Sequence, residues 1–355
     1  MTYAPADQGP TRARGNALSF AAKGRMVFMQ HTSAVRFTLG AATVLASLAA
    51  CSNGSSNGAP TGLAGNPMGI PSWDVAALGR ASSQRRDAAP APKGGALLFV
   101  SDVNANAVDI FAQKSRKADG SITSGIVGPD GIYDDASKNL YVTNTGTSTV
   151  LVYPSGSTKP SVTYSDGIQD AVDVVVGLDG TVYAANYDLG SGGSIVEYKK
   201  GSTEPSLQIP LGTGVLGLTL DASNNLYACA NTTDGGDGGI FEFAPGSSTG
   251  KNLGISLGYC GGLRFDKMGD LVVADQINSV IDVFPPGKVI AKRRITTNLV
   301  HPYHIAFNRS RSILYVADYG TRSVHVFKYA SGSPEPDING FESPLGVATT
   351  PQAPF

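Results

Sequence analysis

The chain has 355 residues, of which only 15% are charged, and it contains 44 Gly and 21 Pro. This composition is typical of many short strands joined by turns and argues against a chain of long helices. The formal net charge is −1. Because residues 1–51 carry five Lys or Arg and one Asp, the rest of the chain is mildly acidic. We therefore expect no nucleic-acid partner, since such a partner requires a basic surface.

The N-terminal region contains an apolar stretch, "RFTLGAATVLASLAAC", which begins with Arg36 and stops at Cys51. It is too short to span a bilayer and has the layout of a secretory signal. Its last four residues, Leu-Ala-Ala-Cys, resemble the cleavage box of bacterial lipoproteins, in which the cysteine becomes lipidated and N-terminal. We expect residues 1–51 to be a lipoprotein-type signal segment, with Cys51 as the lipid attachment site and the true start at Met26 or Met29. A buried helix that ends in a cysteine is the alternative.

Residues 52–95 have the composition of a linker. They include "SNGSSNGAPTGLAGNPMG" and "DAAPAPKGG", which are low-complexity stretches with little apolar surface to bury. About 44 flexible residues have a root-mean-square reach of roughly 35–40 Å. We expect a disordered tether that holds an exported domain off the membrane, so that the protein is lipid-anchored in the bacterial cell envelope.

From residue 96 onward the chain repeats itself, and a repeat of this length indicates the fold more strongly than any local motif. Each unit is an alternating apolar run, an Asn or Asp, a turn, and a second alternating run that ends in an aromatic residue, as in "ILYVADYGTRSVHVF" (Ile313–Phe327). The polar residue recurs every 42 to 45 residues, at Asp102, Asn144, Asn186, Asn231, Asp275 and Asp318. The closing aromatic residues are Phe111, Tyr153, Tyr198, Phe243, Phe284 and Phe327.

Four strands fit each period. A short run such as "AVDVVVG" precedes most pairs, and turn signals such as "KKGSTEP" and a weaker strand follow them. This is the pattern of a β-propeller blade, whose strands bury a face against the next blade. We predict an all-β fold, a six-bladed β-propeller with four-stranded blades over residues 96–355. The C-terminal "SPLGVATTP" (Ser343–Pro351) matches a first strand, so we expect it to complete blade one and close the ring without a free sheet edge.

One of these units also resembles a known family. The stretch "GPDGIYDDASKNLYVTNTGTSTVLVYPSG" resembles an NHL-type repeat, and "LTLDASNNLYACAN" repeats its theme. Over roughly residues 96–351 the chain is similar in style to exported NHL-repeat-like propeller lipoproteins of bacteria. The resemblance implies the propeller fold and says little about activity, because this fold carries many unrelated functions.

The recurring Asn or Asp has a structural interpretation. At the end of a strand its side chain can accept hydrogen bonds from backbone N–H groups two residues on, as in an Asx-turn. One role then explains all six positions, including Asp318. We therefore look for functional residues where one blade departs from the others, above all at the starts of the inner strands, which face the central channel.

Few polar side chains occur around the expected channel mouth. The candidates are Asp130, Asp173, Tyr303, His304, Tyr259 and Arg264. A shallow mouth with two acids, a histidine and tyrosines suits a small polar ligand or a cation. An ordinary solvated rim is the alternative.

Two families of propeller enzymes supply a catalytic alternative. Gluconolactonase-like propellers hold a divalent metal with a Glu, an Asn and an Asp in a "PDG" start, and Asp130 stands in such a start. The Glu and the Asn are missing here, so a degenerate site would pair Asp130 with a rim residue such as Asn186. Amidating lyases of the NHL type bind zinc with histidines from several blades. His301, His304 and His325 all belong to one blade, which argues against that site.

The two remaining cysteines are Cys229 and Cys260. We place Cys229 at the end of a second strand and Cys260 at the start of the next blade's inner strand, on the same rim. An oxidising envelope permits a disulfide between them, and two buried thiols are the alternative.

These features are consistent with two functions. The first is a non-catalytic, monomeric envelope lipoprotein that binds a protein, glycan or small ligand through one rim and needs no cofactor. The second is a metal-dependent lactonase- or hydrolase-like propeller with a divalent cation at the channel mouth. The sequence favours the first.

Overall fold

The computed structural model describes residues 95–187, 192–231 and 238–352. These residues form 24 strands and one short 3-10 turn at Thr145–Thr147. Within the same ranges, no helix has the length and apolar character needed to cross a membrane. The predicted signal segment with Cys51, and the linker up to residue 94, lie outside the described residues.

The strands pair as antiparallel neighbours joined by turns. In chain order they are β1 (Leu97–Asp102), β2 (Ala107–Ala112), β3 (Ala118–Ile122), β4 (Pro129–Asp134), β5 (Leu140–Asn144), β6 (Thr149–Tyr153), β7 (Val162–Tyr164), β8 (Ala171–Val176), β9 (Val182–Asn186), β10 (Ser194–Tyr198), β11 (Pro205–Pro210), β12 (Gly214–Leu220), β13 (Leu226–Asn231), β14 (Gly238–Phe243), β15 (Lys251–Leu257), β16 (Cys260–Phe265), β17 (Leu271–Asp275), β18 (Val280–Phe284), β19 (Arg293–Ile295), β20 (Pro302–Phe307), β21 (Ile313–Asp318), β22 (Ser323–Lys328), β23 (Ser333–Asn339) and β24 (Pro344–Thr350).

Six sheets of four strands form the blades. Blade one contains β24, β1, β2 and β3, and blades two to six contain β4 to β7, β8 to β11, β12 to β15, β16 to β19 and β20 to β23. The first strand of each blade contacts the first strand of the next, from β4 round to β24 and back to β4. These six inner strands surround the central channel. The predicted six-bladed propeller is confirmed.

The two ends of the described chain meet in blade one. β24 pairs antiparallel with β1, with Leu97 opposite Thr350. The carboxylate of Asp102 also accepts hydrogen bonds from the N–H groups of Glu342 (2.8 Å) and Ser343 (2.9 Å). The ring therefore closes as predicted, by the C-terminal strand.

The hydrophobic core lies between the blades, and the six closing aromatic residues are all buried in it. The hydroxyl of Tyr153 donates to the carbonyl of Ser124 at 2.7 Å, so the ring is buried while its polar end is satisfied. Burial of one such side chain contributes about 1.5–3 kcal/mol. Aromatic residues at this repeated position therefore hold neighbouring blades together.

The recurring Asn or Asp fastens the loop that leads into its own blade. In blade six, Asp318 accepts hydrogen bonds from the N–H groups of Val300 (2.8 Å) and His301 (3.0 Å), and from that of Thr321 (3.1 Å) in the following turn. The same pattern holds for Asp102, Asn144, Asn186 and Asp275. The structural role is confirmed, but the predicted partner two residues on is wrong. The loop 17 or 18 residues upstream supplies most of the bonds.

Glycines at the third position of the inner strands allow these strands to approach closely. A Cβ on Gly131 would lie 2.5 Å from a carbonyl oxygen of the next blade, and one on Gly262 would lie 2.8 Å from the Cα of His304. Gly217 and Gly346 face the backbone of the next blade in the same way. The glycine of the "PDG" start is therefore a packing requirement.

Candidate functional site

Asp173 and His304 meet inside the central channel. In β8 and β20 they occupy the inner-strand position that the other four blades fill with glycine. Blades three and six stand opposite each other in the ring. Asp173 Oδ1 lies 3.6 Å from His304 Nδ1, and both side chains are buried. One acid and one imidazole thus fill the channel where glycine leaves room.

The carboxylate of Asp173 is held by the main chain. Oδ1 accepts the N–H of Val174 and Oδ2 accepts the N–H of Leu218 in the next blade, both at 2.8 Å. Burial raises the pKa of Asp173 to about 6, while the guanidinium of Arg264 and the two main-chain bonds oppose that rise. Arg264 itself donates to the carbonyl of Leu218 at 2.9 Å. At neutral pH Asp173 is therefore an ionised group whose two oxygens are already bonded.

His304 is a neutral imidazole at physiological pH. Burial, and then the nearby Arg264, lower its pKa to about 3. Its Nε2 is buried and makes no hydrogen bond within the described residues. The ring stacks on that of the preceding Tyr303 with centroids 4.9 Å apart.

Asp130 and Tyr303 form the next layer towards the inner-strand starts. The hydroxyl of Tyr303 donates to Oδ2 of Asp130 at 3.2 Å, which joins blade six to blade two. Burial raises the pKa of Asp130 well above its ordinary value, the charge of Asp173 raises it further, and the Tyr303 bond lowers it. Oδ1 of Asp130 has no hydrogen-bond partner in the described part of the chain. These conditions favour a protonated carboxyl group.

Four tyrosines cover this polar layer. The hydroxyls of Tyr187 and Tyr259 are hydrogen-bonded to each other. Tyr303 packs edge-on against Tyr319 with centroids 5.9 Å apart, and Tyr319 stacks on His301 at 5.1 Å. The aromatic rings therefore close the upper end of the channel, the end where the inner strands start.

The structure brings the predicted residues together but does not expose them. Asp130, Asp173, Tyr303, His304 and Arg264 form one buried network, in which Arg264 has the largest exposed fraction, 8%. Tyr259 joins them through the tyrosine layer. The expectation of a shallow, open mouth is wrong, because glycines narrow the ring and aromatic rings fill the remaining space.

Asn186 has the same role as its counterparts in other blades. Its Oδ1 accepts the N–H of Gln169 at 2.9 Å, and its Nδ2 donates to the carbonyl of Gly167 at 2.7 Å. The amide that would pair with Asp130 on a cation is thus bonded to its own loop. Among the described residues, no group of three or more His, Cys, Asp or Glu is arranged to hold a metal ion.

Sequence reasoning missed two residues of this region, Gln276 and Ser101. Gln276 is buried near Gly261, and its Nε2 makes no hydrogen bond to the described residues. Ser101 accepts the N–H of Gly346 at 2.6 Å and donates to the carbonyl of Asp130. Gln276 follows the recurring Asp directly, as Tyr187 and Tyr319 do, and this position was the available signal.

A disulfide joins Cys229 of β13 to Cys260 of β16, with their Cα atoms 5.9 Å apart. Asn231 reinforces the same seam. Its Oδ1 accepts the N–H of Cys260 at 2.8 Å, and its Nδ2 donates to the carbonyl of Cys260 at 2.9 Å. Blades four and five are therefore joined by a disulfide and by Asn231. In the other blades the recurring polar residue bonds the loop that leads into its own blade.

The surface beside the tyrosines carries an apolar patch, which we call the upper rim patch: Ile277, Val300, His301 and Tyr319. Ile277 is 45% and Val300 43% exposed. Gly320 allows the Tyr319 turn to lie close to Val300, since a Cβ there would be 2.8 Å from Val300 Cγ1. The patch thus combines an aromatic stack with exposed aliphatic side chains.

No protein-family model matches the chain, and no curated protein matches it. Solved structures do resemble it. A chain in the crystal structure of a nidogen/laminin complex is 15% identical, with a TM-score of 0.60, over 72% of this chain and 98% of that chain. A protein of unknown function from Bacteroides caccae is 12% identical, with a TM-score of 0.58, over 72% of this chain and 99% of that chain.

A third similar structure is the hydrazine synthase of Kuenenia stuttgartiensis. It is 17% identical, with a TM-score of 0.53, over 65% of this chain and 72% of that chain. Identities this low establish similarity of fold alone. The comparisons and the sheet topology agree that the chain is a six-bladed β-propeller.

Proposed function

We propose that this protein is a non-catalytic, lipid-anchored binding propeller of the bacterial cell envelope, of the NHL-repeat-like type. Its partner is a protein or a glycan that contacts the upper rim patch. The observation that carries the proposal is the contrast between the channel and the rim: the polar channel groups are buried beneath tyrosine rings, whereas the rim exposes Ile277 and Val300 beside an aromatic stack.

The bonding of the channel groups supports a scaffold over an enzyme. A metal-dependent lactonase-like site requires carboxylate and amide oxygens free to bind a cation. Both oxygens of Asp173 accept main-chain N–H groups, and the oxygen of Asn186 accepts that of Gln169. Asp130 is covered by Tyr303.

The composition of the rim supports a macromolecular partner. Aromatic residues exposed beside aliphatic ones are enriched at protein interfaces and stack on sugar rings. One similar solved structure is itself described as a nidogen/laminin complex. For the present chain, the exposure of Ile277 and Val300 beside an aromatic stack supports contact with a macromolecule at this surface.

The envelope location rests on residues outside the described structure. The stretch from Arg36 to Cys51 has a charge, an apolar run and a lipoprotein-type cysteine, and the following residues form a polar tether. Incorporation of labelled palmitate into the full chain tests the anchor. We expect label in the wild type and none in Cys51→Ser; equal labelling of both would remove the anchor from the proposal.

The binding role is tested by a photo-crosslinking amino acid placed at Ile277 in cells. We expect a discrete adduct, and we expect Val300→Ser to abolish it, because that change removes part of the patch without touching the core. The same amino acid at Leu178, which is 64% exposed on another blade, serves as the matched control. Identical adducts from both positions, or none from Ile277, would contradict the proposal.

Thermal unfolding in the presence of metal ions distinguishes the binding propeller from the enzymatic alternative. A thermal unfolding scan with calcium, manganese and zinc should show no stabilisation if the channel holds no cation, because a ligand stabilises only a state that binds it. An increase in melting temperature that Asp130→Ala abolishes would favour the lactonase-like hypothesis. Such a result would contradict the proposal of a non-catalytic scaffold.

A further inference from the structure

A large cavity lies on the lower face of the propeller, the face opposite the tyrosines. It occupies the groove between blades four and five and has a volume of about 620 Å³. Three turns border it: Asp221–Ser223, Asp266–Gly269 and Phe284–Lys288. We call this feature the lower groove. Its size falls within the range of 300–1,000 Å³ that is typical of small-molecule sites.

The walls of the lower groove are aromatic and aliphatic. Tyr227 of β13 and Phe265 of β16 pack edge to face with centroids 4.9 Å apart, so each blade contributes one ring. Leu253, Ile255, Leu271 and Phe284 complete the apolar lining. A flat apolar body would bury its surface between these side chains.

The acids of the lower groove are occupied by internal hydrogen bonds. Asp221 accepts the N–H groups of Ser223 and Asn225. Asp266 accepts the hydroxyl of Tyr329 at 2.8 Å. The remaining acid of the groove, Glu242, accepts the hydroxyl of Tyr227 at 3.0 Å. These carboxylates are therefore parts of the framework.

One lysine of the lower groove, Lys251, pairs with Glu242 at 4.0 Å, but the other two lysines differ from the acids in this respect. Lys267 and Lys288 line it, and their ammonium groups make no ion pair or hydrogen bond within the described residues. Arg311 also lines the groove and donates to the carbonyl of Asp266 at 3.3 Å. Two lysines without partners beside an arginine leave positive charge for an anion to neutralise.

Lys288 also breaks the repeat. In blades two to six the turns between the third and fourth strands share a glycine with a positive φ, and the next residue in blades two to four is a serine whose hydroxyl bonds its own turn: Ser157, Ser202 and Ser247. Blade five keeps the glycine, Gly287, but follows it with Lys288. The turn therefore exchanges a stabilising cap for an exposed cation.

The residues next to the two lysines of blade five are exposed apolar side chains. Val289 is 50% exposed and Ile290 79% exposed next to Lys288, and Met268 is 77% exposed next to Lys267. Each lysine thus stands beside an exposed apolar side chain at the border of the lower groove.

We infer that the lower groove binds a small amphipathic anion, namely an aromatic or apolar body that carries one sulfonate, carboxylate or phosphate group. The body lies between Tyr227 and Phe265, and the anionic group lies between Lys267, Lys288 and Arg311. This site is separate from the upper rim patch and does not depend on the function proposed for it.

A matched pair of fluorescent probes tests this inference on the purified full chain. The probes are 8-anilinonaphthalene-1-sulfonate and its uncharged counterpart N-phenyl-1-naphthylamine, which share the same rings. The double variant Lys267→Ala, Lys288→Ser restores residues that other blades carry at these positions. We expect saturable binding of the sulfonate to the wild type, about tenfold weaker binding to the double variant, and no change for the uncharged probe.

Lys159→Ala supplies the control, because Lys159 is an exposed lysine on the turn of blade two. We expect this variant to bind the sulfonate like the wild type. Equal sulfonate affinity in the wild type and the double variant, or an equal loss in Lys159→Ala, overturns the site. A tenfold loss for both probes overturns the anionic recognition.

Discussion

Oδ1 of Asp173 and Nδ1 of His304 lie 3.6 Å apart although the two residues belong to opposite blades. This contact crosses the propeller axis, so the centre of the molecule is a packed core and not a pore. Glycines at the equivalent position of the other four blades bring the inner strands close enough for the two side chains to meet. The packing of the channel therefore depends on which inner-strand positions are glycine.

Gly131→Ala should destabilise the propeller strongly. Its Cβ would lie 2.5 Å from the carbonyl oxygen of Val172 and 2.7 Å from the Cα of Asp173, and this backbone cannot yield without moving a blade. We expect a loss of about 3 kcal/mol in the free energy of unfolding, as for an overpacked core. Urea denaturation monitored by circular dichroism of the backbone measures this loss.

Gly239→Ala is the control for that experiment. A Cβ at Gly239 would have its closest neighbour at 3.8 Å, so the substitution should change the unfolding free energy by no more than about 0.5 kcal/mol. If Gly131→Ala were as mild as Gly239→Ala, the close approach of the inner strands would be contradicted.

Asp134 should make the stability of the protein depend on pH. Burial raises its pKa from 3.8 to about 7, so the folded state binds this proton more tightly than the unfolded state. The corresponding stability is complete below about pH 4 and is lost as the pH rises towards 7. Asp134→Asn should match the wild type at pH 4 and be more stable by about 4 kcal/mol at pH 8. Urea titrations at both pH values test this, and an advantage that shrinks with rising pH would contradict it.

The disulfide between Cys229 and Cys260 should stabilise the seam between blades four and five. It closes a segment with a sequence separation of 31, for which the loop-entropy relation gives about 3–4 kcal/mol. We expect the double variant Cys229→Ser, Cys260→Ser to lose that amount, and we expect mild reductant to lower the melting temperature of the wild type only. Intact mass without reductant checks the bond, and two free thiols there would contradict it.

The repeat predicted the architecture because every blade packs against its neighbours in the same way. The spacing of the recurring polar residue and of the closing aromatic residue gave the number of blades. The unpartnered strand at Ser343–Pro351 predicted how the ring closes. The hydrogen-bond partners of the recurring polar residue did not follow from the repeat. The side chain of Asp318 binds a loop upstream rather than its own turn, because the propeller brings that loop to the strand end.

The channel could not be derived from the same pattern. The candidates Asp130, Asp173 and His304 were identified at the inner-strand starts, but whether they face water depends on the radius of the ring. That radius follows from glycine packing and from tyrosines contributed by three different blades. The lower groove was equally hidden, since Lys267 and Lys288 become unusual only when each turn is compared with its counterparts.

Deletion of residues 343–355 should unfold the whole propeller. β24 supplies the inner strand of blade one and contacts β4 and β20 on either side, so its loss opens the ring and exposes two inner strands at once. Because every blade is packed on two neighbours, we expect loss of the single cooperative melting transition. A chain shortened only by residues 353–355 keeps β24 and should melt like the full chain. An unchanged melting curve after the longer deletion would contradict closure by the C-terminal strand.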